Sequence, residues 1–190
     1  NRAFEFLDSM DFEVKTKLIE KINLLSEELV LWKDISMKMQ ISVGKDGVLE
    51  QFEGYFKLEE LDWDYYREKY GNAHRMDRIL KAEGKSPDDY KLAKQADTLM
   101  TYYNIEESVV EEILKGLGYS NIENRLEKNF SYYLPRTSHG STLSKVVHAY
   151  LAKIIGKKDM CWNMYLEALL SDYNDIQGGT TAEGIHVGVM

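Results

Sequence analysis

A loop rich in hydroxyl groups, Ser131 to Ser144, is the stretch of this chain best suited to binding an anion. It holds a Pro, a Gly, a His and several Ser and Thr residues, and it runs directly into the apolar helical pattern KVVHAYLAKII. The first turn of a helix has unpaired backbone N–H groups at the positive end of the helix dipole, where anions bind. Ser and Thr are also the commonest N-cap residues, so an ordinary helix cap explains the same pattern.

A second loop of the same type, Gly178 to Gly184, lies near the end of the chain. Two apolar helical patterns separate the loops, and their short connection, GKKD, predicts an antiparallel pair. Thr180 and Glu183 have the spacing of a capping box, which predicts a third helix that runs parallel to the first. Both hydroxyl-rich helix starts would then face one region, with His139 and His186 nearby. This arrangement predicts an oxyanion or phosphate site.

A third group of candidate residues lies upstream, in the segment KLAKQADTLMTYY. Ser86 and Pro87 are typical helix start signals, so we expect one helix to run from them through this segment. On that helix Gln95 would fall on the apolar side, with Lys94 beside it. A buried amide needs hydrogen-bond partners, which the backbone or a ligand would supply.

Other reactive side chains have simpler explanations than catalysis. Glu183 is first the acidic partner in the capping box and only second a candidate general base. His148 is predicted to pack within its helix, and His74 is predicted to be exposed because its neighbours are charged. Cys161 lies in an apolar helical pattern and is predicted to be a buried packing thiol in a reducing compartment.

The elements that must position these residues are predicted to be helical. From about Lys15 to Met39 apolar residues recur every three or four positions, which predicts one long helix. An irregular segment follows, and a group of aromatic side chains begins within it. Core packing is the usual reason for such a group, and a platform for stacking sugar rings is the alternative. The group comprises Phe52, Tyr55, Phe56, Trp63, Tyr65 and Tyr66.

Composition narrows the class of protein. The chain has 190 residues, 44% of them hydrophobic, which suits one domain of ordinary size. Its 24 Lys and Arg against 32 Asp and Glu argue against general binding to nucleic acid or to an anionic membrane. No run has the length of a membrane span and no signal peptide opens the chain, so we expect a cytoplasmic protein.

Known metal and nucleotide signatures are missing from the sequence. It has no Cys or His cluster at metal-ligand spacing, no P-loop and no GxGxxG motif. The sequence starts at Asn1 without Met and stops at Met190 inside the apolar pattern GIHVGVM, which has no cap or stop signal. We therefore expect the chain to be truncated at both ends and to belong to a longer protein.

Three motifs occur together in the second half of the chain. They are Lys94-Gln95-Ala96-Asp97, Thr137-Ser138-His139-Gly140-Ser141-Thr142-Leu143-Ser144 and Gly178-Gly179-Thr180-Thr181-Ala182-Glu183-Gly184-Ile185-His186, with Gln51-Phe52-Glu53-Gly54-Tyr55 upstream. In this order they resemble the inverting α-glucoside phosphorylases of glycoside hydrolase family 65, which include maltose, trehalose and kojibiose phosphorylases. The resemblance implies an all-α fold, in which residues 1–190 form one partial (α/α)6 barrel catalytic domain.

The resemblance also implies roles for particular residues. Lys94 and Gln95 would contact the glucosyl residue. Inorganic phosphate would be held by the two hydroxyl-rich loops together. The implied phosphate contacts are Ser141, Thr142 and His186, with Gly140, Gly179, Thr180 and Thr181 as supporting positions.

The implied reaction is a single displacement. A Glu protonates the glycosidic oxygen while phosphate attacks the anomeric carbon from the opposite face, so that an α-glucoside yields β-glucose 1-phosphate. Phosphate is then a co-substrate and no cofactor is needed. The implied partners are an α-linked glucose disaccharide, phosphate and, in the parent protein, a second copy of the chain.

One part of the family pattern is missing. The family's general acid lies upstream in a GPDEY-type segment that has no match here, so we expect these residues alone to be inactive. Two alternatives remain open: an inverting hydrolase acting on an α-glucobiose with Glu183 as the base, and a helical carbohydrate-binding module without catalysis.

Overall fold

A computed structural model describes residues 2–119, 123–176 and 184. Over these residues the chain forms ten α-helices and three short 3₁₀ helices, with isolated β-bridges and no β-strand. The all-α prediction is therefore confirmed. The chain divides into two compact units, residues 1–41 and 42–190. That all 190 residues form one domain stays a prediction.

The first unit contains three helices, α1 (Arg2–Ser9), α2 (Phe12–Ile22) and α3 (Ser26–Lys38). The predicted single helix from Lys15 to Met39 is therefore wrong. Asn23 ends α2 with a left-handed backbone, φ 52° and ψ 40°, a conformation that Asn tolerates better than most residues. The next N–H, of Leu24, bonds the carbonyl of Ile19 at 3.0 Å. Apolar spacing continues across this turn, so periodicity alone does not reveal the break.

The second unit contains the remaining helices. Its α-helices are α4 (Trp63–Tyr70), α5 (Met76–Ala82), α6 (Asp97–Asn104), α7 (Glu107–Gly116), α8 (Arg125–Tyr133), α9 (Thr142–Ile154) and α10 (Lys158–Leu170). Its 3₁₀ helices are Tyr55–Lys57, Pro87–Asp89 and Leu134–Arg136. No helix among the described residues is long and apolar enough to cross a membrane.

The helix predicted to start at Ser86 is wrong for most of its length. Ser86 accepts a hydrogen bond from the N–H of Asp88, as a cap does, but the turn that follows is only the 3₁₀ helix Pro87–Asp89. The chain then extends until α6 begins at Asp97. Within this stretch the N–H of Lys91 bonds the Glu59 carbonyl at 2.7 Å. Pairing with distant segments takes the backbone groups that a helix would use.

Helices α9 and α10 form the predicted antiparallel pair. The start of α9 lies beside the end of α10, since Thr142 Oγ1 is 3.1 Å from Ser171 Oγ. One turn further, Lys145 Nζ is 2.9 Å from Glu167 Oε2. The helix predicted to begin at Thr180 lies outside the described residues.

The aromatic group divides between core and surface. Tyr55 and Tyr66 are buried, which confirms core packing for these two residues, and the Tyr55 ring packs against Tyr133 at 5.7 Å between centroids. Phe52 and Tyr65 are about half exposed, at 52% and 45%. Core packing therefore explains only part of the group.

Candidate active site

Helix α9 starts at the hydroxyl-rich loop without a side-chain cap. Ser141 occupies the N-cap position with an extended backbone, φ −145° and ψ 139°, and its side chain accepts no capping hydrogen bond. An ordinary Ser cap is defined by that bond, so the cap explanation fails for Ser141. Its hydroxyl and the first turn of α9 are the anion-binding elements that the sequence predicts.

Thr142, the other predicted phosphate contact in this loop, is buried. Its hydroxyl lies 3.1 Å from Ser171 Oγ at the end of α10, and Ser171 Oγ in turn donates to the Ala168 carbonyl at 2.9 Å. The Thr142 side chain therefore joins two helices. Its remaining means of contacting an anion is its backbone N–H group in the first turn of α9.

The loop is attached to the extended segment before α6. The N–H of Ala93 bonds the Arg136 carbonyl at 2.9 Å, and the N–H of Ser138 bonds the Ala93 carbonyl at 2.8 Å. Together these bonds form a parallel bridge between Ala93 and Thr137. Lys94 and Gln95 follow Ala93 directly, so the bridge brings both residues next to the hydroxyl-rich loop.

Gly140 occupies a position that has no room for a side chain. A Cβ atom there would lie 2.5 Å from the backbone oxygen of His74 and 3.3 Å from Cγ of Lys94. The first distance is far below van der Waals contact, and a backbone oxygen cannot rotate away. Gly140 therefore permits the close approach of the loop to the His74 backbone and to Lys94.

Lys94 and Gln95 differ from their predicted setting. They lie at a bend in the non-helical segment before α6, so the apolar helix face predicted for Gln95 is wrong. Lys94 is exposed and Gln95 is half-buried. Their predicted contacts with the glucosyl residue stay predictions, but Lys94 does lie against the loop that is expected to hold phosphate.

Two histidine rings pack against each other at the start of α9, with His148 buried and His139 half-buried. His139 Nδ1 is 3.0 Å from Ser144 Oγ, and its ring meets the His148 ring at 4.7 Å between centroids and 77°. His148 Nδ1 donates to the Ser144 carbonyl at 2.7 Å. The prediction that His148 packs within its helix is confirmed, and His139 has a left-handed backbone with φ 52°.

Burial keeps both rings neutral. It lowers the pKa of His139 to about 3, and the electrostatic effects of His148, Lys145 and His74 act in the same direction. Burial also lowers the pKa of His148, although the bond to the Ser144 carbonyl opposes this shift. Near neutral pH the two imidazoles therefore contribute hydrogen bonding and packing to the site, without positive charge.

Lys145 provides positive charge at the start of α9. Its side chain is 2% exposed, and Nζ lies 2.9 Å from Glu167 Oε2. Apart from this ion pair, Nζ has no hydrogen-bond partner in the part of the chain that the structure describes. A buried cation with one half-exposed counter-ion raises the positive potential around the first turn of α9.

The setting of His74 differs from the one that its sequence neighbours predict. It was expected to be exposed, but it is half-buried, and its Nδ1 lies 3.1 Å from the Ser138 carbonyl. The local signal for this turn is Asn72, whose Oδ1 accepts the His74 N–H at 2.9 Å, as in an Asx turn. Nothing local indicates the contact with Ser138.

The second hydroxyl-rich loop is almost wholly outside the described residues. The predicted phosphate contacts Gly179, Thr180 and His186 belong to it, as does Glu183, and their roles stay predictions. Among the described residues no group of three or more His, Cys, Asp or Glu side chains is arranged to hold a metal ion. Cys161, expected to be buried, is half-buried.

Comparison with known proteins gives consistent matches. The model of the glycosyl hydrolase family 65 central catalytic domain matches residues 1–190. Trehalose 6-phosphate phosphorylase of Lactococcus lactis is 44% identical over 184 residues, which is 97% of this chain and 23% of that protein. Kojibiose phosphorylase of Caldanaerobacter subterraneus is 30% identical over 170 residues, covering 89% of this chain and 20% of that protein.

A solved structure is also similar. A putative kojibiose phosphorylase from the human microbiome aligns with a TM-score of 0.63 and 29% identity over 91% of this chain and 23% of its own length. The chain thus spans about a fifth of the length of these three relatives.

Proposed function

The chain belongs to glycosyl hydrolase family 65, and on this premise we propose that it is part of an inverting α-glucoside phosphorylase. The family resemblance and the fold expected from it, part of an (α/α)6 barrel, are both confirmed. In the proposed reaction inorganic phosphate attacks the anomeric carbon and releases β-glucose 1-phosphate, with no further cofactor. A Glu outside these residues protonates the leaving oxygen.

The observation that carries this proposal is the contact between the hydroxyl-rich loop and the Lys94 segment. A Cβ atom on Gly140 would lie 3.3 Å from Lys94 Cγ, and the Ala93 bridge holds the two segments side by side. A phosphate on the loop would therefore lie next to a glucosyl group held by Lys94 and Gln95. Single displacement requires this proximity of nucleophile and sugar.

The chemistry of the loop favours phosphate over an activated water. Residues 137–144 offer hydroxyl groups, the uncharged residues His139 and Gly140, and no carboxylate. An inverting hydrolase needs a carboxylate base on that side of the sugar, whereas phosphate needs hydrogen-bond donors and positive charge. Ser141 and the first turn of α9 supply the donors, and Lys145 adds charge. His186, Gly179 and Thr180 complete the proposed phosphate site.

The identity values favour a phosphorylated leaving group. The chain is 44% identical to trehalose 6-phosphate phosphorylase, against 27% to α,α-trehalose phosphorylase of Thermoanaerobacter brockii and 26% to 1,2-α-glucosylglycerol phosphorylase of Bacillus selenitireducens. We therefore propose that the protein acts on an α-glucosyl sugar phosphate, of which trehalose 6-phosphate is the first to test.

The test uses the full-length protein with trehalose 6-phosphate, trehalose or kojibiose, each with and without inorganic phosphate. Proton NMR of the products distinguishes β-glucose 1-phosphate from free glucose. We expect β-glucose 1-phosphate, formed only with phosphate and fastest from trehalose 6-phosphate. Free glucose released equally fast without phosphate would make the protein a hydrolase and would overturn the proposal.

A substitution connects the activity with the loop. Ser141→Ala removes one hydroxyl from the proposed phosphate site, and we expect it to raise KM for phosphate about tenfold while KM for the glucoside changes little. The matched control is Ser131→Ala, because Ser131, which was predicted to begin the loop, lies in α8 with an exposed side chain. An effect of Ser141→Ala on the glucoside alone would contradict the assignment.

A further inference from the structure

The turn between α4 and α5 contacts the hydroxyl-rich loop at two points, both through His74. His74 Nδ1 lies 3.1 Å from the Ser138 carbonyl. Because a carbonyl oxygen only accepts, Nδ1 carries the proton and donates. The backbone oxygen of His74 faces Gly140, where an added Cβ would be 2.5 Å away. His74 therefore touches the loop on both sides of His139.

The same turn also reaches the approach to the second loop. Asn72 accepts the His74 N–H on its Oδ1 at 2.9 Å and donates from its Nδ2 to the Ile176 carbonyl at 3.3 Å. Ile176 stands two residues before Gly178, where the second hydroxyl-rich segment begins in the sequence. The N–H of Ile176 bonds the Ser171 carbonyl at 2.9 Å, which ties this approach to the end of α10.

These contacts place the turn where it can control the loop's position. The Ala93 bridge holds the loop through Arg136 and Ser138, on the side of the extended segment. After Ser138 the chain takes a left-handed conformation at His139 and reaches Ser141 within two residues. On the other side of the turn, His139 contacts Ser144 and the His148 ring. His74 adds a further support, because its Nδ1–H donates to the Ser138 carbonyl immediately before the turn.

We propose that His74 is a positioning residue for phosphate, which holds the Ser138–Ser141 turn against the Lys94 segment through its Nδ1–H group. The inference rests on the proposed function, since the loop is taken to be the phosphate site. His74 itself does not touch the phosphate. Its loss displaces the loop donors, and a displacement of about 1 Å is enough to weaken catalysis severely.

Two substitutions of similar size separate positioning from general stability. In His74→Asn the side-chain amide nitrogen stands at the position of Nδ1, so the bond to the Ser138 carbonyl is kept. In His74→Gln the side chain is one carbon longer and the donor is displaced. We expect His74→Gln to raise KM for phosphate about tenfold with KM for the glucoside within about twofold, and His74→Asn to stay near the wild-type values.

The readouts are steady-state kinetics, melting temperature and calorimetric titration of the full-length protein with inorganic phosphate. Weaker phosphate binding in His74→Gln, with rescue in His74→Asn, supports the proposal. Equal behaviour of both variants, or equal changes in both KM values together with a lower melting temperature, overturns it and makes His74 merely structural.

The calorimetric titration separates this inference from the proposed function. If the wild-type protein binds phosphate but forms no β-glucose 1-phosphate, the proposed function fails and the phosphate affinities of the two variants still decide the role of His74. If the wild-type protein is an active phosphorylase and His74→Gln binds phosphate normally, only the inference about His74 fails.

Discussion

Two buried polar side chains on neighbouring helices, Asn129 on α8 and His148 on α9, have the same local setting and different surroundings. Asn129 is 0% exposed and His148 is 1% exposed. Each donates to the carbonyl four residues earlier, Asn129 Nδ2 to Arg125 at 2.8 Å and His148 Nδ1 to Ser144 at 2.7 Å. The two helices therefore place a polar group in the core by the same backbone contact.

The two side chains differ in their remaining hydrogen bonds. Asn129 Oδ1 accepts the N–H of Leu49 at 2.8 Å, and its Nδ2 also donates to the Gly47 carbonyl at 3.3 Å. His148 Nε2 has no hydrogen-bond partner within the described ranges, and its ring faces His139. A satisfied network fixes one arrangement of the fold, whereas an unsatisfied one is tolerated where function requires it. We infer that Asn129 serves stability and the His139–His148 pair serves the loop.

Replacing Asn129, whose side chain makes several buried hydrogen bonds, is expected to have the largest effect on stability. Asn129→Leu leaves the N–H of Leu49 and the carbonyl of Gly47 buried without their partner. We expect the free energy of unfolding to fall by about 2–4 kcal/mol, seen as a lower melting temperature. KM for phosphate should not change.

The matched control is Asn163→Leu, at an exposed position of α10, which should change the melting temperature little. Equal destabilisation by the two substitutions would show that the bonds of Asn129 do not carry its contribution.

Ser144, which contacts His139, is expected to have a smaller effect on stability. Ser144→Ala removes the hydroxyl that contacts His139 Nδ1. The expected loss of stability is only about 1 kcal/mol, but the left-handed turn at His139 loses a contact, so KM for phosphate should rise about threefold to tenfold. Steady-state kinetics with phosphate varied at saturating glucoside measures this change. An unchanged KM with a large drop in melting temperature would show that Ser144, like Asn129, serves stability.

The smallest expected effect is the change in stability with pH, to which the histidine pair contributes and Asn129 does not. His139 and His148 have folded-state pKa values below the usual value for His, because burial disfavours their charged forms. In the unfolded chain they take up protons near pH 6.5, so stability is unaffected above that pH and decreases as the pH falls below it. For His139, whose pKa is lowered to about 3, the expected loss at pH 5.5 is about 1 kcal/mol.

Melting temperatures at pH 7.5 and 5.5 test this expectation. His148→Phe keeps a ring in place and removes one titrating group, so acidification should lower its melting temperature less than that of the wild type. Asn129→Leu should keep the full wild-type dependence, since Asn129 does not titrate. An equal pH dependence in His148→Phe and the wild type would contradict the role assigned to burial of His148.

Local signals were enough to predict much of the second half of the fold. The run from Ser144 to Ile155 is apolar at helical spacing, and GKKD is a short connection, so α9, α10 and their antiparallel pairing follow from the sequence. The hydroxyl groups before α9 likewise predict an anion site, although the site itself stays a prediction. Each of these inferences depends on residues that are close together in the chain.

Three of the wrong predictions concern positions where distant segments decide the structure, or where one residue ends a helix. Asn23 splits a continuous apolar stripe by taking a left-handed backbone. The segment around Lys94 has helix-like spacing, but its backbone pairs elsewhere. His74 has charged neighbours in sequence and a carbonyl of the loop as its neighbour in space.

Residue types and their spacing along the chain were therefore enough to predict the helical class and the family. Only the tertiary structure decided that Lys94 lies against Gly140 and that His74 supports Ser138. The position of Lys94 follows from the backbone bonds of Ala93 with Arg136 and Ser138, whereas His74 reaches Ser138 through its side chain. Every residue type except Pro can make such backbone bonds, so the side chains do not reveal which segments the bonds will join.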